Sequence, residues 1–112
     1  MTIREMAERI EATVYAEPDQ LDIDLQGAFG SDMMSDVLAF VTDQTVLLTG
    51  LVNEQVIRTA AMLDMHCIII VRGKKATDEI KTLAAQNHIA LLETKLTMYE
   101  ASGKLYEGGL GR

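Results

Sequence analysis

Three short runs, Thr45–Thr49, Cys67–Val71 and Ala90–Thr94, recur at nearly even spacing, and each gives way to small or polar residues. The endings are Thr49-Gly50, Arg72-Gly73-Lys74-Lys75 and Thr94-Lys95, and a helix-patterned segment follows every one. A strand-helix alternation of this kind reads as βαβαβα with a parallel sheet, and parallel sheets take ligands at the carboxyl edges of their strands. The pattern predicts an α/β fold: a single domain spanning residues 1–112, with a mostly parallel sheet flanked by helices. It also places any site along the rim where Thr49, Arg72 and Thr94 emerge.

At 112 residues the chain can bury roughly two-thirds of its unfolded surface without disulfides or metals. Its five aromatic residues are Tyr15, Phe29, Phe40, Tyr99 and Tyr106, so the core is aliphatic with methionine. The net charge of −7 is uneven. Residues 1–54 hold eleven acids against Arg4 and Arg9, while residues 55–112 hold six acids against eight bases. An acidic half and the lack of an aromatic stacking platform argue against nucleic acid as a partner. Cys67 is the single cysteine and opens an apolar run, so it reads as a buried thiol in a reducing compartment. Arg4, Glu5, Glu8 and Arg9 interrupt any secretory leader, and no apolar run approaches a membrane span. The expectation is a cytoplasmic protein with no membrane partner.

Along the chain, Thr2-x-x-Glu5 has capping-box spacing and opens a helix running to about Ala12. Thr13–Ala16 is a short strand candidate, and Glu17-Pro18-Asp19 a turn. Leu21, Ile23 and Leu25 alternate with polar residues, as in a half-exposed strand or extended loop. Gly27–Asp32 is the most irregular stretch and predicts a tight backbone path into a helix capped at Ser31 or Asp32. Asn53, Thr77 and Thr97 are the expected caps of three later helices, the last with a second capping box at Thr97-x-x-Glu100. Gly108–Gly111 reads as a frayed terminus.

No G-x-x-x-x-G-K-[ST] loop and no G-x-G-x-x-G opens a helix, so nucleotide-driven phosphoryl transfer is not expected. The rim residues Thr49, Gly50, Arg72, Gly73, Thr94 and Lys95 either hold an anion on free N–H groups or simply turn each strand into its helix. His66 and His88 lie near strand starts, at the opposite edge, without the spacing of metal ligands. Asp32 and Asp36, with Ser31 and Ser35 beside them, would share one helical face. They read as dipole partners of a helix start, or as an acid/base pair. No catalytic residue, metal site or cofactor is expected. Met33, Met34, Met62, Met65 and Met98 fill the core or form a self-association surface, the latter suiting a homodimer.

The stretch Gly27-Ala28-Phe29-Gly30-Ser31-Asp32-Met33-Met34-Ser35-Asp36-Val37 resembles the G-A-x-x-S-D-x-L-S-D-V signature of DRTGG domains. Leu47–Gly50, Ile69–Gly73 and Leu92–Ala101 are similar to the later family blocks, in order. The resemblance implies a fold akin to the N-terminal domain of HPr kinase/phosphorylase. It also implies an accessory role, as beside CBS modules in regulatory pyrophosphatases or next to phosphotransacetylase catalytic domains. The chain departs from the pattern with Leu51-Val52 where relatives often carry Asp-Arg, and with Arg72-Gly73 where Gly-Gly is common. The resulting expectation is a non-catalytic, homodimeric regulatory domain for a small anionic ligand such as an adenine nucleotide. Arg72, Lys74 and Lys95 would supply charge, Thr49, Gly50, Gly73 and Thr94 contacts, and Ser31, Asp32 and Asp36 the neighbouring loop. The alternative is an adaptor or subunit for a metabolic or redox enzyme, with no ligand of its own.

Overall fold

The computed structural model describes all residues, Met1–Arg112. Five strands, β1 (Thr13–Tyr15), β2 (Gly27–Gly30), β3 (Thr45–Thr49), β4 (Cys67–Ile70) and β5 (Ala90–Glu93), form one sheet in the order β1-β5-β4-β3-β2. β2 through β5 are parallel, and β1 closes one side antiparallel to β5. The helices are α1 (Ile3–Arg9), α2 (Met34–Phe40), α3 (Glu54–Met62), α4 (Asp78–Gln86) and α5 (Met98–Glu107).

Because β2 to β5 advance across the sheet in one direction, right-handed crossovers put α2, α3 and α4 on the same face. The packing agrees. Leu47, Ile68 and Leu91 face Val37, Ile57 and Ile80, while Leu48, Ile69 and Leu92 face α1 and α5 through Ile3, Met6, Ala101 and Leu105. Register aligns these as two rows through all five strands: Val14–Leu92–Ile69–Leu48–Gly30 on one face and Tyr15–Leu91–Ile68–Leu47–Phe29 on the other. Burial on both faces is why the inner strands are apolar at successive positions instead of alternate ones.

The caps fall where hydroxyl and amide side chains permit. Thr2, Asn53, Thr77 and Thr97 each accept from a backbone N–H in the first turn, and both capping boxes form. Three local expectations are corrected. Gly27–Gly30 is a regular strand, paired to β3 and free on its other side, because ladder bonds from Gly27 and Ser31 outweigh the low strand preference of glycine. α1 ends at Arg9, and Glu11 turns the chain in the left-handed region at φ 52°. The terminus is docked, not frayed: Leu110 is buried, its N–H donates to the Leu105 carbonyl, and Gly111 donates to the Gln26 carbonyl. The segment with alternating Leu21, Ile23 and Leu25 is a 3-10 turn (Pro18–Asp22) followed by a loop, and Leu25 is buried against α1.

Candidate functional site

At the carboxyl ends of β3, β4 and β5 the rim is continuous. Val71 N–H donates to the Thr49 carbonyl at 3.0 Å, and Gly73 N–H donates to the Thr94 carbonyl at 3.0 Å. Thr49, Arg72 and Thr94 therefore do emerge side by side. Arg72 and Gly73 both adopt the left-handed region, at φ 63° and 70°, a path glycine takes without strain. Arginine holds this path at residue 72 despite its side chain.

Asp32 is the centre of one half of the rim. Its carboxylate accepts from Gly50 N–H at 2.7 Å and from the Thr49 hydroxyl at 3.0 Å, and Arg72 Nη1 lies 3.8 Å from its other oxygen. The Arg72 guanidinium lies directly over Gly50, and a methyl group there would make it shift. The Gly50 N–H, then the Thr49 hydroxyl and the charges of Arg72 and Lys74, hold the Asp32 carboxyl below the usual range, outweighing its partial burial.

This arrangement corrects two expectations. α2 starts at Met34, so Asp32 precedes the helix and shares no helical face with Asp36. Nor do Ser31 or Asp32 cap it: the cap is Met33, without a side-chain bond, because Ser31 Oγ instead accepts from Met33 N–H within the approach loop. Asp36 lies in the first turn of α2 and makes no side-chain hydrogen bond to the other candidates.

The remaining candidates sit apart. The Thr94 hydroxyl is buried, donates to the Ile10 carbonyl at 2.7 Å and accepts from Leu96 N–H. Exposed Lys95 borders a separate recess of about 170 Å³ with Thr94, Lys75 and Glu93. Glu93 was not among the residues expected to matter. The residue is 3% exposed, and its carboxylate accepts from Ala76 N–H at 2.7 Å and the Tyr15 hydroxyl at 3.3 Å and faces Lys75 Nζ at 3.7 Å. The available signal was a charged residue between Leu92 and Thr94 inside an apolar run.

One-directional strand order has a consequence for binding. Open α/β sheets form their ligand crevice where strand order reverses, and β2–β5 contain no such reversal. The rim accordingly has polar groups but no deep cleft. The largest cavity, about 760 Å³, lies elsewhere, between α5 and the β2 edge. Cys67 is fully buried and its thiol is pushed up by desolvation, so it is no nucleophile. No three His, Cys, Asp or Glu side chains converge as metal ligands. No helix is long and apolar enough to cross a membrane.

The Asp32 latch has a definite acid response. Its folded pKa lies below the unfolded value of about 3.9, so its stabilisation is complete above about pH 5 and fades as pH falls through the folded pKa. Because the group is half-exposed, we expect Asp32→Asn to cost about 1 kcal/mol at neutral pH. Urea unfolding of both proteins from about pH 7 to about pH 3 should show that difference shrinking with acid. A pH-independent difference would refute the latch.

Comparison with known proteins adds three findings. The DRTGG domain family model matches residues 5–107. A search of curated proteins finds no match. Among solved structures, the chain is similar to the CBS and DRTGG domains of the regulatory region of Clostridium perfringens pyrophosphatase, complexed with its activator diadenosine tetraphosphate. That likeness has a TM-score of 0.78 at 15% identity, covering 93% of this chain and 45% of the other. The chain thus spans less than half of the pyrophosphatase structure, and the likeness establishes the fold.

Proposed function

Because this chain belongs to the DRTGG domain family, we propose that residues 1–112 act as one non-catalytic regulatory module, homodimeric, responding to a small anionic ligand at the rim. The observation that carries this reading is the Asp32 carboxylate: an oxyanion already seated on Gly50 N–H and the Thr49 hydroxyl, beside Arg72. A phosphate group matches the same donors, and guanidinium groups favour such oxyanions. A ligand would replace Asp32, freeing the loop that leads into α2. An adenine nucleotide is the specific candidate, suggested by the activator of the pyrophosphatase region.

A second reading, an adaptor for a metabolic or redox enzyme without its own ligand, draws on a different observation. The rim donors already have internal partners, and the largest groove lies away from them. Calorimetric titration with AMP, ATP and diadenosine nucleotides separates the two. Ligand sensing predicts a saturable heat, tighter in Asp32→Ala and about tenfold weaker in Arg72→Ala. Flat heats at millimolar nucleotide for both the natural chain and Asp32→Ala reject the ligand and leave the adaptor.

A further inference from the structure

We infer that the free edge of β2 is a self-pairing edge, joining two copies of this chain antiparallel about Phe29 into one ten-stranded sheet. The inference rests on the homodimeric reading above and names the surface.

Natural edge strands are guarded by charge, proline, bulges or cover. β2 is short, at four residues, but it carries no charge and no proline: it reads Gly-Ala-Phe-Gly, in a chain of net charge −7. Gly27 and Ser31 donate to the Gln44 and Leu48 carbonyls of the β3 side, so ladder alternation leaves the N–H and C=O of Ala28 and Gly30 pointing outward. A two-fold axis at Phe29 sets Ala28 of one copy opposite Gly30 of the other. These are residues that would exchange both backbone bonds, four bonds in all.

Both faces of the sheet suit the same axis. On the α2–α4 face, Phe29 would meet its own symmetry mate as a close cross-strand aromatic pair. Phe40, 66% exposed, already lies against Phe29 with ring centroids 6.3 Å apart and would extend the apolar contact. On the α5 face, Ala28 and Gly30 carry little bulk, and there the large groove opens over Leu48. Gly30 has Met98 against it: a Cβ there would stand 3.1 Å from the methionine sulfur.

The helices fit as well. With α5 packed over β2 and β3 and strands about 4.8 Å apart, the two α5 helices would run antiparallel at about 10 Å, a normal helix-packing distance. The outer stripe of α5 is Tyr99, Ser102, Gly103 and Tyr106, with the tyrosines 88% and 61% exposed. Gly103 has no atom of its own chain near its missing Cβ, so nothing within the chain demands glycine in mid-helix, where it is a poor former. Close approach of a second helix does. An axis crossing α5 near residues 101–103 would set Glu100 of each copy opposite Lys104 of the other, a complementary pairing.

Sedimentation equilibrium and amide hydrogen exchange test this together. We expect twice the chain mass at micromolar concentration, with the Ala28 and Gly30 amides protected. Ala28→Pro removes an N–H that the single chain does not use, and Phe40→Glu charges the other face; each should raise the dimer dissociation constant about tenfold or more. Circular dichroism should show both variants folded. A dimer unaffected by either variant, with Ala28 and Gly30 exchanging freely, overturns this surface and leaves dimerisation standing. A monomer at all concentrations overturns both. So does a chain whose β2 amides become protected only with a strand from another protein.

Discussion

Replacing Glu93 with leucine should destabilise the domain by about 3 kcal/mol, although leucine belongs to the apolar run around it. The glutamate is buried, and its oxygens satisfy Ala76 N–H and the Tyr15 hydroxyl. Ala76 is itself buried, so without the carboxylate its N–H has no partner. The Lys75 contribution is small, because that side chain is two-thirds exposed and regains water. Glu93→Gln keeps an acceptor and the shape, and should cost about 1 kcal/mol. Urea unfolding measures both. A leucine variant within about 1 kcal/mol of the natural protein would mean that these bonds do not hold the turn. The consequence reaches function, since Glu93 anchors β1, β5 and the β4–α4 turn that carries Arg72, Lys74 and Lys75. An anion-binding rim would lose its fixed cationic segment along with its stability.

What the sequence disclosed, and what it hid, divides along physical lines. Strands β3, β4 and β5 were legible because burial on both faces leaves unmistakable aliphatic runs. The helix starts at Asn53, Thr77 and Thr97 were legible because capping is local chemistry. β2 was misread because its pairing comes wholly from β3, while Gly27 and Gly30 argue locally for a turn. The neighbouring Asp32 drew notice for its spacing, but its contacts are of another kind. Sequence spacing suggested Asp36 as its companion, whereas its partners lie seventeen and eighteen residues on, at Thr49 and Gly50. The rim itself followed from strand order alone, and Arg72 reaching back over Gly50 did not. The Tyr99–Tyr106 stripe was not legible, because the periodicity of α5 marks only its inner residues, Ala101 and Leu105. Exposure is a property of the neighbours, and no local pattern reports it.

The largest loss of stability should follow Ile69→Ala, at about 4 kcal/mol. Ile69 is fully buried on the middle strand, between Leu48 and Leu92 in the row that faces α1 and α5. Nothing can collapse into the gap it leaves. The flanking strands are fixed by the ladder, and α5 is held at its far end by Leu110 and Gly111. Ile69→Val removes one methyl group and should cost about 1 kcal/mol. The two substitutions together test whether this face is packed as a solid layer, since a layer able to relax would bring alanine down to roughly twice the valine cost. Hydrogen exchange adds a positional check. In Ile69→Ala, the amides of α5 and α1 should exchange faster than those of α3 and α4, because the gap opens toward the first pair alone. Equal acceleration on both sides would contradict the two-face division of the core. A loosened α5 would also blur the groove beside β2, so the same variant should weaken self-association without touching any residue of the proposed contact.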